Sequence, residues 1–375
     1  RLRVVATHSI IGDFVRNVAG DEVELTMLAG PNQDPHVYEP APADSRTLLE
    51  ADLVFENGLL LKGWFDPLYR QSGSNSTRVV VSDGVRLLDY EGEHGHDHGH
   101  DHGHDDHGHD DHSHDDHGHA DHGHDDHGHD DHSHDDHGHA DHGHDDHGHD
   151  DHGHDDHGHD DHGHDDHGHD DHSHDDHGHD DHGHDHDHDH DHDHVHGEYD
   201  PHVWQSVANA IVMVENIRDA LMDADPANAE LYEQNAAAYI AELEELDEYI
   251  FDLAEMIPQE RRMLVTGHLA FQYFAERYGF RTVGAALGAI TTDEAEPSAG
   301  EIAALIDEIR ATGAPAVFSE TIVNPTLARR VADEAGVQFV SPIYSDALDE
   351  PGTEAGTYIG MMRHNIEIMV DALAQ

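Results

Sequence analysis

The 375-residue chain contains no cysteine. A disulfide framework and a thiolate metal site are both excluded, so any metal must be held by nitrogen and oxygen donors. Cationic side chains are scarce: 17 Lys and Arg stand against 84 Asp and Glu, for a formal net charge of −67. A surface of that sign repels nucleic acid and anionic membranes, and no nucleic-acid partner is expected. The acidity suits a solvated surface at high salt, where screening removes most of the self-repulsion. No apolar run approaches the roughly 18 to 20 residues of a membrane span. The opening Arg1-Leu2-Arg3-Val4-Val5-Ala6 already reads as a strand. Any export signal or lipid anchor is therefore expected either to have been removed from this chain or never to have existed.

What the chain has in abundance is histidine. Of 49 His, 44 fall between His94 and His196, in repeats of Asp-Asp-His-Gly-His that also hold 37 Asp and no Lys or Arg. Val195 is the one aliphatic residue in the run larger than Ala. Such a segment cannot bury enough apolar surface to offset its conformational entropy, so it is expected to be disordered when metal-free. A plain acidic spacer needs only Asp, Glu, Ser and Gly. Imidazole at nearly half of all positions instead suits zinc, copper and nickel, which bind neutral His nitrogen well. The run reads as a metal-collecting loop, with His94, His96 and His196 among its candidate ligands.

Outside the run, 272 residues carry a net charge of −30, enough chain for two cores. β-branched segments at Arg3–Thr7, Val23–Leu28, Asp52–Glu56 and Arg78–Ser82 alternate with helical patterns at Ala43–Ala51 and Leu61–Gln71. A second set of strands lies near Arg262–Thr266, Arg281–Ala285, Ala316–Ser319 and Val337–Val340. Its helices are expected at Ala270–Tyr278, Ser298–Ala311, Pro325–Glu334 and Thr357–Ala374. The alternation predicts an α/β fold with mostly parallel sheets flanked by helices. Between the sets, Pro226–Met256 has Leu231, Tyr239, Leu243, Leu246 and Ile250 at helical spacing, and Pro258 ends the pattern. A rod of roughly 45 Å follows from 1.5 Å per residue. The expected organisation is an N-terminal lobe over 1–225, a linker helix over 226–257 and a C-terminal lobe over 258–375.

Ligands of open parallel α/β sheets bind beyond the carboxyl ends of the strands. Four polar residues fall in such loops: His36 and His202, each within Asp-Pro-His-Val, His268 after Met263–Gly267, and Asp346 after the last strand. In the repeated motif, Pro stiffens the backbone before the imidazole and Asp can accept a nearby backbone N–H. A lone loop histidine is more often a surface or capping residue than a ligand. Four such groups at strand ends, in a chain that also carries a His tract, match the four-coordinate N/O preference of zinc.

These stretches carry a resemblance. Val4-Val5-Ala6-Thr7 with Ser9-Ile10-Ile11-Gly12-Asp13, Asp34-Pro35-His36-Val37-Tyr38-Glu39-Pro40, Ala51-Asp52-Leu53-Val54, Asn57-Gly58-Leu59, Asp200-Pro201-His202-Val203-Trp204, Gly267-His268-Leu269-Ala270-Phe271-Gln272-Tyr273-Phe274, Glu296-Pro297-Ser298 and Tyr358-Ile359-Gly360-Met361-Met362 resemble the metal-binding branch of ABC-importer solute-binding proteins, most of all its zinc (ZnuA-like) members. The likeness covers essentially the whole chain except the run. It implies two lobes joined by a rigid helix, one metal in the cleft, no enzymatic activity, and a membrane ABC permease as partner. It also implies an extracytoplasmic protein, secreted or lipid-anchored, expected to act as a monomer. Zinc members commonly carry a His/Asp-rich insertion just before the second ligand, as here. Manganese-selective relatives tend to have Glu where His268 stands, which favours Zn²⁺ over Mn²⁺ or another divalent ion.

Departures from the family pattern bear on the site. His8 stands where an aromatic residue is usual and is expected at the cleft edge, with a place among the ligands as the alternative. Lys62 replaces a frequent Glu, the disulfide of zinc relatives is impossible, and His364 reads as a surface residue. Glu320 is a candidate acceptor behind a ligand, or a lobe-packing residue. Two other functions remain in view: a metal-sequestering protein dominated by the run, and a zinc hydrolase. The second lacks a His-Glu-x-x-His pattern, and four protein ligands leave no open position for water.

The run should behave as a pH-dependent collector. Its charge moves from −37 with all His neutral to +7 with all 44 protonated, and unperturbed imidazole titrates near pH 6.5. Several weakly held ions should load above about pH 7 and leave below about pH 5.5. Metal titration beside a chain lacking Gly95–Val195, with elemental analysis, measures this; equal stoichiometry in the two chains would refute it.

Overall fold

The computed structural model describes residues 1–59, 61, 63–89, 199–284 and 297–375. The His/Asp run with His94, His96 and His196, the departure at Lys62, and Ala285 and Glu296 lie outside the described residues.

The first sheet has four parallel strands, β1 (Leu2–His8), β2 (Val23–Ala29), β3 (Leu53–Glu56) and β4 (Thr77–Val80), in the order β2-β1-β3-β4. Val4 pairs with Leu25 on one side and Leu53 on the other. Side chains alternate across a strand, so β1 feeds two cores. Val4 and Ala6 pack with Ile10, Ile11 and Phe14 of α1 (Ser9–Ala19). Val5 points the other way, into a cluster with Leu48 of α2 (Pro42–Glu50) and Phe65 and Leu68 of α3 (Phe65–Ser72). Cover on both faces explains why the two central strands read as apolar runs, Val4–Ala6 in β1 and Leu53–Phe55 in β3.

Two helices lie outside the expected elements, α1 and α4 (Val207–Ala224), although their apolar residues recur at helical spacing. Neither starts with a side-chain cap: His8 and Ser206 occupy the N-cap positions without bonding the first turn. Their stability comes from burial, through Phe14 and Val15 in α1 and Met213, Val214 and Ile217 in α4, which fits the rule that packing outweighs propensity. The helix expected from Leu61 begins instead at Phe65. Leu59 has φ 56°, a left-handed conformation no helix can include, and the Leu61 N–H turns back to the Gly58 carbonyl.

The second set comprises β5 (Met263–Leu264), α6 (Gln272–Tyr278), β6 (Arg281–Thr282), α7 (Ala299–Thr312), β7 (Ala316–Glu320), α8 (Pro325–Ala335), β8 (Gln338–Ile343) and α9 (Tyr358–Leu373). β5 pairs with β6 and β7 with β8, both parallel, and the Phe318 N–H donates to the Val265 carbonyl at 2.9 Å. α7 opens on a capping box between Ser298 and Glu301, as Ser-x-x-Glu predicts. The strand expected over Arg262–Thr266 is shorter because the Thr266 hydroxyl donates to the His268 carbonyl at 2.8 Å, turning the chain away from the ladder.

Between the sets, Pro226–Asn228 forms one 3₁₀ turn and α5 runs for 27 residues, Ala229–Glu255, about 40 Å of rod. Tyr232, Ala236, Tyr239, Leu243, Leu246 and Ile250 form its buried stripe. Leu231, expected on that stripe, is 38% exposed, and Tyr232 takes its place. The stripe belongs to a continuous core that includes Val4 of β1 and Met369 of α9. Among the described residues, no helix is long and apolar enough to cross a membrane.

The chain on either side of 90–198 is pinned. Asp89 forms an antiparallel bridge with Tyr199, and the Asp200 N–H donates to the Leu88 carbonyl at 2.9 Å. The Tyr273 hydroxyl accepts from Leu88 N–H at 3.1 Å and donates to the Asp200 carbonyl at 2.7 Å.

The stripe can be tested on α5 itself. Leu243→Ala should lower unfolding free energy by about 2–5 kcal/mol, because it empties a packed site, whereas Leu231→Ala should change it by less than about 0.5 kcal/mol. Equal losses in denaturant titrations would place the buried face wrongly.

Candidate metal centre

Each of the four loop residues is positioned by its own local bonds. The Asp34 carboxylate accepts the His36 N–H at 2.8 Å, and the Asp200 carboxylate accepts the His202 N–H at 2.9 Å. The two Asp-Pro-His segments thus fold as the same Asx turn, with Pro fixing the middle residue. The His268 N–H donates to Glu320 Oε2 at 3.1 Å. Gly267 permits that approach: a Cβ there would sit 2.7 Å from Glu320 Oε2 and 3.1 Å from Val323 Cγ1. Before Asp346, the Asn365 side chain grips Tyr344 twice, accepting its N–H at 2.8 Å and donating to its carbonyl at 2.7 Å.

The side chains meet. One ligand atom from each of His36, His202, His268 and Asp346 lies within 4.8 Å of all the others, and all four residues are buried. Nε2 of His36 is 3.2 Å from Nε2 of His202. Asp346 Oδ1 is 3.1 Å from His202 Nε2, while Oδ2 is 2.8 Å from His268 Nε2 and 3.6 Å from His36 Nε2. Three ring nitrogens pointing at one place are mutually unfavourable unless a proton or a cation lies between them. With no thiolate available, this donor set fits a divalent ion of intermediate softness.

The far side of each ring fixes which nitrogen faces inward. His36 Nδ1 meets the Leu61 carbonyl at 3.2 Å, and His202 Nδ1 meets Asp200 Oδ1 at 2.7 Å. His268 Nδ1 lies 2.8 Å from Glu320 Oε1, close in distance but not aligned as a hydrogen bond. A proton on each Nδ1 leaves each Nε2 lone pair free, the usual arrangement of metal-binding imidazole.

Electrostatics reinforces the picture. Burial by itself would lower the His202 imidazole, but the charges of Asp346 and Asp200 outweigh it and push it up to about 9. His268 is raised well above the ordinary range against the same burial, by Glu320 and Asp346. Burial would raise Asp346, yet His268, His202 and His36 together hold its carboxyl well below the usual range. The negative charge buried here calls for positive charge, which protons supply in the metal-free protein and a divalent ion can supply in their place.

The other sequence-level candidates fall elsewhere. His8 is fully buried, but its ring packs at a tilt against Trp204 with centroids 5.3 Å apart and stands outside the four-residue cluster. Glu320 lies beside His268, its Oε2 accepting the His268 N–H and its Oε1 2.8 Å from Nδ1. His364 is partly exposed, with Nε2 3.2 Å from the Pro342 carbonyl. Sequence reading missed the second task of Asp200, which serves both the backbone and the ring of His202, and the Leu61 carbonyl behind His36. Asp at the same position of two identical motifs was a usable signal for the first; nothing in the sequence announces a carbonyl.

Parallel α/β sheets with a buried three-imidazole, one-carboxylate cluster at their strand ends define a metal-binding protein of the solute-binding class. The chain belongs to the family described as zinc-uptake complex component A, periplasmic (ZnuA), whose model matches residues 4–372. It is 28% identical over 374 residues to the manganese-binding lipoprotein MntA of Halalkalibacterium halodurans, covering 100% of this chain and 89% of that protein. It is 26% identical over 381 residues to the manganese ABC transporter substrate-binding lipoprotein PsaA of Streptococcus mitis, covering 100% and 90%. Among solved structures it is similar to the periplasmic zinc binding protein TroA of Treponema pallidum, at 25% identity and a TM-score of 0.68, covering 99% of each chain. A Cd-bound periplasmic metal binding protein of Candidatus Liberibacter asiaticus shares the fold at 22% identity and a TM-score of 0.65, covering 99% and 98%. The chain is thus an extracytoplasmic, metal-binding, substrate-binding component of an ABC importer that works with a membrane permease, and not an enzyme.

The groups behind the rings should matter nearly as much as the rings. Glu320→Gln and Asp200→Asn keep the shape but remove a charge, and each should weaken divalent-metal binding by about 10–100-fold. Competition with a chromogenic chelator reads this directly; unchanged affinity in both variants would detach these carboxylates from the centre.

Proposed function

We propose that the chain captures Zn²⁺ through His36, His202, His268 and Asp346 and delivers it to its permease. The convergence of these four buried donors within 4.8 Å carries the reading. Three of the four are imidazoles, and affinity for such sites rises along the divalent series from manganese towards copper and zinc. The zinc-binding description of TroA agrees with this choice. His36 and His202 belong to a lobe over 1–225, His268 and Asp346 to a lobe over 258–375, and α5 links the two. Binding then ties one lobe to the other while the helix limits their separation. The His/Asp run supplies ions to this centre, entering beside His202.

One observation favours a manganese reading. Both oxygens of Asp346 face the imidazoles, so a fifth, oxygen donor is at hand for a harder ion. The manganese descriptions of MntA and PsaA point the same way.

A chain lacking Gly95–Val195 separates these possibilities. It should retain one tight site, prefer Zn²⁺ to Mn²⁺ in direct competition, and melt at a clearly higher temperature with zinc. A ligand bound only by the native state adds about 2.7 kcal/mol at a hundredfold excess over its dissociation constant. In the His36→Ala/His268→Ala double variant, both the binding and the shift should vanish. Zinc binding that survives in that double variant would overturn the ligand assignment, and a preference for Mn²⁺ would overturn the choice of metal.

A further inference from the structure

The loop that carries Asp346 is bonded, on both sides of that residue, to segments far earlier in the chain. The Ser345 carbonyl accepts from Trp204 Nε1 at 2.9 Å and from Gln205 Nε2 at 2.8 Å. Beyond Asp346, the Leu348 N–H donates to the Ser9 hydroxyl at 2.9 Å, and the Leu348 carbonyl accepts from the Asn32 N–H at 2.8 Å. The peptide immediately before Asp346 is therefore held by two donors that lie two and three residues beyond His202. The place of one metal-site residue is tied to that of another.

Of these two donors, Gln205 is the one that packing does not explain. Trp204 fills space against the rings of His8 and His202. Gln205 is fully buried, yet its Oε1 makes no hydrogen bond among the described residues. A buried amide with an unsatisfied carbonyl costs stability that an apolar side chain of the same size would not. What the amide provides in return is its N–H on Ser345.

We propose that Gln205 is a positioning residue which, by gripping the Ser345 carbonyl, presents both oxygens of Asp346 to the metal and so sets how strongly the centre holds Mn²⁺ relative to Zn²⁺. The proposal rests on the reading that the four converging groups hold the metal. Asp346 spans the cluster, with Oδ1 beside His202 and Oδ2 beside His268 and His36. Zn²⁺ is content with four donors, three of them nitrogen here. Mn²⁺ stands lowest in the divalent series for nitrogen sites and favours more oxygen around it. The second carboxylate oxygen is therefore worth more to manganese, and so is whatever holds the carboxylate square to the three rings.

The test is Gln205→Met in the full chain, which removes the donor and the orphaned carbonyl together at nearly constant volume. Free Zn²⁺ or Mn²⁺ is buffered by chelator low enough to leave weak sites empty. Mn²⁺ affinity should fall about five- to tenfold, the worth of one net hydrogen bond, while Zn²⁺ affinity changes less than about twofold by the same reckoning. The Co²⁺-loaded variant should show more intense visible bands as coordination drops from five donors towards four. The metal-free variant should melt at or above the parent temperature, which a purely structural role for the amide would not allow; Gln205→Leu serves if the Met variant does not fold. Equal changes for the two metals, or none, with an unaltered Co²⁺ spectrum, would overturn the proposal. Asp346→Asn runs alongside: if it binds both metals like the parent, the ligand reading itself fails, whereas its loss of binding beside an inert Gln205→Met removes only the role given to Gln205.

Discussion

Three imidazoles and a carboxylate share a place sealed from solvent, and their lone pairs face one another. Nε2 of His36 and His202 are 3.2 Å apart, and both oxygens of Asp346 are turned inward. Such an arrangement is costly to bury without compensating charge. The rest of the structure holds these groups together around a buried negative charge that protons balance in the metal-free protein and a cation can balance in their place. Asx turns stiffen two of the loops, Glu320 braces the third, and Asn365 with Trp204 and Gln205 braces the fourth. The two Asx turns are bonds within their own loops, whereas Glu320 ends β7, Asn365 lies on α9, and Trp204 and Gln205 belong to the short 3₁₀ turn Val203–Gln205.

The backs of the rings are not equivalent, and the difference has a chemical meaning. His202 and His268 each lie against a carboxylate, Asp200 and Glu320, whereas His36 lies against a neutral carbonyl. A carboxylate behind an imidazole makes it a stronger electron donor. Two strong nitrogens, one ordinary nitrogen and an anionic oxygen form a graded set, in which the ordinary one belongs to the loop after β2. The same carboxylates that strengthen the rings also attract protons to them in the metal-free protein, so metal binding at neutral pH is coupled to proton release.

A 103-residue insertion of one composition sits in this chain with little demand on the fold around it. The physical reason lies at its base, where Asp89 and Tyr199 are paired and Tyr273 bonds both flanking segments. Once the ends of a loop are held together, further length adds closure entropy only logarithmically. The same pinning holds Tyr199, where the described chain resumes, three residues before His202.

Much of this protein was determined by local chemistry and so was open to reading from the sequence. Alternation of β-branched and helical segments fixes a parallel α/β architecture, since both faces of each strand must be covered. The repeated Asp-Pro-His builds the same turn twice because proline stiffness and a short carboxylate act within three residues. His36, His202, His268 and Asp346 stood out as polar residues in loops after strands, and each loop is held by bonds of its own. Other features depended on partners remote in sequence. α1 and α4 lack capping side chains, so nothing local marks their ends, and they are held by burial of apolar stripes such as Ile10, Phe14 and Val18 in α1 and Met213, Ile217 and Leu221 in α4. Leu231 and Tyr232 are adjacent on one helix, and only the packing of α5 decided which of them faces inward. His8 has the chemistry of a ligand but the surroundings of a core residue, buried with its ring tilted against Trp204. The Leu61 carbonyl and the Gln205 amide could not be foreseen at all, because a backbone oxygen or a buried amide acquires its role only from what the tertiary structure sets opposite it.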